Sequence, residues 1–84
     1  MEKLQRLKNK LAELGYRCDI VTDNKKPCLK IWLVYHLVYI VYATGEFDEG
    51  DGIFLATDML KNEIQNAIRQ WADAEGLSNK PEEA

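Results

Sequence analysis

The side chains able to do chemistry are few in this chain of 84 residues: one histidine, His36, one serine, Ser78, and two cysteines, Cys18 and Cys28. A Ser-His-acid triad needs a serine held beside an imidazole, but Ser78 falls in the polar C-terminal stretch SNKPEEA and His36 in the middle of an apolar run. A Cys-His pair needs a thiol of lowered pKa, and nothing in the sequence around either cysteine promises one. A structural zinc takes four nitrogen or sulfur ligands, more than two cysteines and one histidine at unrelated spacing provide. The expectation is buried, reduced thiols and a chain that is not an enzyme, with no catalytic, cofactor-binding or metal-ligating residue.

The second group is acidic. Glu46, Asp48, Glu49 and Asp51 alternate with Gly45, Gly50 and Gly52. These glycines cannot form a phosphate loop, because carboxylates stand where such a loop carries Lys-Ser/Thr. A calcium loop also fails, since setting Gly52 at the invariant glycine puts Phe47 at the first ligand position. Six carboxylates from Glu46 to Glu63, with Lys61 the single base among them, can instead imitate the phosphates of a nucleic acid and occupy a basic groove.

The elements that must carry these residues are legible from periodicity. Leu4, Leu7, Leu11 and Leu14 form one stripe on a helix over residues 2–14, stopped by Gly15. Alternation over residues 16–22 predicts an edge strand with one wet face, and Asp23-Asn24-Lys25-Lys26-Pro27 predicts a reversal. Residues 29–43, LKIWLVYHLVYIVYA, hold thirteen apolar or aromatic side chains and no Gly, Pro, Asn or Asp. That run falls short of the roughly 20 residues a membrane helix needs, and its β-branched and aromatic content predicts strand. At about 3.3 Å per residue it is too long for one strand in so small a domain. It must therefore reverse, with Tyr35-His36 as the expected turn or bulge. Residues 53–56 are a candidate fourth strand after the Asp51-Gly52 hairpin signal. A last helix over about residues 58–75, capped by Thr57 or Asp58, presents Leu60, Ile64, Ala67, Ile68 and Trp71 and stops at Gly76.

The expected fold is α+β, in the order α-β-β-β-(β)-α: a small antiparallel sheet of three to four strands with two helices packed on one face. Residues 1–77 make a single compact domain and residues 78–84 a flexible polar tail. Two cysteines and the absence of a leader pattern at the N-terminus predict a cytoplasmic protein. The element order resembles that of the double-stranded RNA-binding domain, whose second helix begins with phosphate-spanning lysines. This chain has Asp58, Lys61 and Glu63 there.

Composition completes the reading. Hydrophobic content is 46% and charged content 30%, as in a folded soluble domain. Net charge is −3, with eight basic and four acidic residues in 1–31 but three basic and ten acidic in 32–84. In the apolar strands neither alternating set is polar, so one sheet face is left greasy unless residues 44–56 or the first helix fold over it. Exposed apolar patches and their aromatic residues mark interaction sites. The expected function is that of a non-enzymatic protein-protein interaction module, most concretely a small acidic inhibitor or antidote of a basic nucleic-acid-handling enzyme. Its partner-binding residues are Trp32, Tyr35, Tyr39, Tyr42, Glu46, Asp48, Glu49 and Asp51. The alternative is a structural homodimer through the aromatic face. Direct nucleic-acid binding by the basic first helix, with Lys3, Arg6, Lys8 and Lys10, together with the Lys25-Lys26 turn ranks last.

Overall fold

A computed structural model describes residues 2–23 and 26–77. The expected 78–84 tail, with Ser78, and the centre of the expected turn at Asn24-Lys25 lie outside the described residues.

Helix α1 (Glu2–Glu13) buries Leu4, Leu7 and Leu11 completely. Leu14 lies beyond its end and is 44% exposed, a correction to the four-leucine stripe. The helix closes one residue early, where the Leu14 N–H turns back to the Leu11 carbonyl and Gly15 takes φ 95°. That left-handed conformation costs glycine little. Tyr16 follows as a buried bridge, so the first strand, β1, is Arg17–Asp23.

Strands β2 (Lys26–Leu33) and β3 (His36–Tyr42) are the two arms of the apolar run. The reversal sits at Val34-Tyr35, one residue before the expected position, with Leu33 paired to His36. The run also contains a bulge: Ile31 pairs with Tyr39 but Trp32 with Leu37, so Val38 is the extra residue. Val38 and Tyr39, adjacent in sequence, are consequently both fully buried.

The fourth strand, β4, is Phe47–Glu49 rather than residues 53–56. Residues 51–55 instead wind into a short 3-10 helix (Asp51–Leu55). The reason is close approach. A Cβ on Gly50 would lie 2.5 Å from the Leu37 carbonyl oxygen, and one on Gly52 would lie 2.5 Å from the Cβ of His36. The glycines let the chain lie flat against β3, where a hairpin would have carried it away. Helix α2 (Asp58–Ala74) starts at Thr57, whose Oγ1 accepts the Leu60 N–H at 3.2 Å.

The strands form one antiparallel sheet in the order β1-β2-β3-β4. One face, bearing Cys18, Ile20, Leu29, Ile31, Tyr39, Val41 and Phe47, packs on Leu4, Leu7, Leu11, Ile64, Ile68 and Trp71 of the helices. Ile53 of the 3-10 helix joins that same side. Trp71 Nε1 donates to the Lys3 carbonyl at 2.6 Å, and Arg6 forms a bidentate pair with Glu75, tying the helices together. No helix among the described residues is long and apolar enough to cross a membrane.

Candidate protein-binding face

Among the described residues no second layer covers the opposite sheet face. Its registered positions are Arg17, Asp19 and Val21 on β1, Cys28, Lys30 and Trp32 on β2, Leu37, Ile40 and Tyr42 on β3, and Asp48 on β4. Apart from Cys28, which is buried, these side chains are partly or largely exposed, and none of them belongs to the core cluster. Neither the 44–56 segment nor α1 therefore roofs this face. Its middle row is Asp19, Lys30, Ile40 and Asp48, with Trp32 and Leu37 towards one end and Cys28 and Tyr42 towards the other, so apolar and aromatic side chains alternate with charged ones.

Two details concentrate on the end nearest the β2–β3 turn. Trp32 Nε1 is shielded from solvent and has no hydrogen-bond partner among the described residues, whereas Trp71 finds one. An unpaired buried donor costs about 1–3 kcal/mol, and buried tryptophans ordinarily find an acceptor. Val34 has φ 59°, a conformation that β-branched residues avoid and that costs about 1–3 kcal/mol. A two-residue hairpin turn normally uses glycine or asparagine there. Val34 is 72% and Tyr35 81% exposed, so both turn residues offer apolar surface to solvent.

Between these residues lies a cavity of about 110 Å³ lined by Arg17, Asp19, Trp32, Val34 and Tyr35. Pockets for drug-sized ligands run to about 300–1,000 Å³, so this one is too small for such a ligand.

The expected contact residues are divided by the pleat. Trp32 and Tyr42 lie on the open face and Tyr35 at the tip of its hairpin. Tyr39 does not: it faces the helices with no exposed surface, its hydroxyl accepting from Gln65 Nε2 at 2.8 Å and its ring edge-on to Phe47 at 5.7 Å. The Val38 bulge shifts the alternation and turns this tyrosine into the core. Among the carboxylates, Asp48 is on the open face and bonded to the Tyr42 hydroxyl at 3.0 Å, while Glu49 pairs in register with Tyr39 on the helix side. Glu46 is exposed in the β3–β4 turn and Asp51 begins the 3-10 helix. Among the described residues no three His, Cys, Asp or Glu side chains gather as a metal site.

The cysteines are placed as structural thiols. Cys18 is buried under α1, and burial pushes its pKa up to about 11, well away from a nucleophile's range. Cys28 is buried on the open face between Val21 and Tyr42. His36 is exposed and edge-on to Phe54 at 6.3 Å. Exposed Val34, Phe54 and Met59 add apolar surface that sequence reasoning missed. The signal for Val34 was present in the absence of any turn former between two strand-like arms.

No protein-family model, curated protein or solved structure shows a significant match to this chain.

Proposed function

We propose that the chain is a non-enzymatic protein-binding module that docks its partner on the open sheet face. The observation that supports this reading is the partly exposed Trp32, Ile40 and Tyr42 surface in a domain whose described helices cover the other side. Tryptophan and tyrosine in a water-excluding surround carry a large share of binding energy at such faces. The Tyr42–Asp48 bond joins an aromatic side chain of this face to the acidic β4 margin, which favours a partner with a basic surface. In its most concrete form, the partner is a nucleic-acid-handling enzyme whose basic groove accepts Glu46, Asp48, Glu49 and Asp51 in place of phosphates. The test is to reverse these four carboxylates to lysine and, separately, to change Ile40→Lys. Loss of partner binding in both, with folding retained, is the expected result. Loss in Ile40→Lys alone keeps the face and removes the phosphate-mimic version. Binding unchanged in both overturns the proposal.

A further inference from the structure

The two edges of the sheet are unequal. Strand β4 spans only Phe47–Glu49, carries two acids and runs directly into the 3-10 helix, features that protect an edge from further pairing. Strand β1 spans Arg17–Asp23 without a register shift, contains no proline and no bulge, and has no neighbour on its outer side among the described residues.

The direction of its free groups follows from Pro27. Thr22 pairs with Pro27, and proline has no N–H to exchange, so this is a non-hydrogen-bonded pair of the antiparallel ladder. Alternation then makes Ile20–Leu29 and Cys18–Ile31 non-hydrogen-bonded as well. The backbone bonds of Tyr42 N–H to the Glu46 carbonyl and of Gly50 N–H to the Val38 carbonyl fit the same phase carried across the sheet. The N–H and C=O groups of Cys18, Ile20 and Thr22 therefore all point outward from the edge, a regular row of donors and acceptors.

We infer that this edge pairs with β1 of a second copy, antiparallel about a two-fold axis through Ile20, to give a continuous sheet across a homodimer. Residues opposite one another in an antiparallel ladder share a face, which limits the choice of register. With Ile20 opposite Ile20, the whole of Arg17–Asp23 overlaps. Ile20 exchanges both backbone bonds with its copy, and Cys18 and Thr22 do so with each other. In sequence and register alone, this pairing also sets the basic position 17 of each copy opposite the acidic position 23 of the other. Moving the centre by one residue in either direction keeps the faces in phase but shortens the overlap of Arg17–Asp23 and sets Asp19 against Asp19 or Asp19 against Asp23. The edge is thus self-complementary in backbone phase, length and charge. The two-fold axis runs perpendicular to the sheet, so both helical layers lie on one side and both open faces on the other, still accessible. The inference rests on the outward backbone groups of Cys18, Ile20 and Thr22, which the open-face reading does not use, and the two share only Arg17.

The experiment is sedimentation equilibrium of the full chain over a wide concentration series, with amide exchange at Cys18, Ile20 and Thr22. A species of twice the chain mass is expected, with protection of these amides that grows with concentration. Arg17→Asp alone should raise the dimer dissociation constant about tenfold, because the two-fold axis counts each altered charge pair twice. Adding Asp23→Arg should restore it, a rescue that misfolding could not produce. A monomer at every concentration overturns the inference. So does a dimer that ignores both the single and the double charge change and leaves the three amides unprotected, which would place the contact on the open face instead.

Discussion

The hydroxyl of Tyr42 on β3 donates to Oδ2 of Asp48 on β4 at 3.0 Å, linking an aromatic side chain of the open face to its acidic margin. Because this bond lies in solvent, it contributes little to folding, within about 0.5–1.5 kcal/mol. Tyr42→Phe is therefore expected to leave the urea unfolding midpoint nearly unchanged while weakening partner binding. Strong destabilisation would instead make Tyr42 a structural residue.

The two tryptophans should respond in opposite ways to the same change. Trp71 is buried against both helices and its Nε1 is bonded to the Lys3 carbonyl, so Trp71→Phe should cost about 2–3 kcal/mol through lost packing and an orphaned carbonyl. Trp32 Nε1 has no partner to lose among the described residues, so Trp32→Phe should change stability by less than about 1 kcal/mol. Denaturant titrations of the two variants decide between equal and unequal costs.

Val34 at φ 59° stores conformational strain that glycine would not feel. The left-handed penalty of about 1–2 kcal/mol exceeds the roughly 0.5–1 kcal/mol entropic cost of glycine. Val34→Gly should raise stability by up to about 1 kcal/mol, measured by thermal or urea unfolding. A loss of stability would mean that the exposed valine makes packing contacts that outweigh its strain.

Stability should fall at alkaline pH. Burial holds the Cys18 thiol at about 11, against an ordinary value of about 9, so the unfolded chain ionises first and binds fewer protons than the folded one. The stabilisation is complete below about pH 9 and is lost as pH rises towards about 11. Tyr16, also raised by burial and by its bond to Glu63, acts with the same sign. Cys18→Ala should flatten the decline in urea midpoint between neutral and alkaline pH; an unchanged slope would assign the decline to other groups.

Much of this architecture could be read from residue order. The leucine spacing in α1, the glycines at 15 and 76, and the alternation over residues 16–22 each carried one clear signal. The third strand did not. His36-Leu-Val-Tyr-Ile-Val-Tyr42 has no polar residue to phase its pleat, so alternation separates Tyr39 from Tyr42 without saying which of them faces the helices, and the Val38 bulge puts Leu37 and Tyr39 on opposite faces despite their spacing of two. Gly50 and Gly52 were ambiguous for a different reason. The same residue type marks a hairpin turn and a close backbone approach, and only the position of β3 decides between them. The acidic cluster was obvious in composition, but its division between the two faces depends on the register of β4.

The most direct test of the open-face account compares proteins captured from a native lysate by three immobilised chains: wild type, Ile40→Lys on the open face, and Gln70→Lys on the exposed side of α2. The account predicts one basic partner retained by wild type and by Gln70→Lys and lost by Ile40→Lys. Retention of the same partner by all three chains would contradict it.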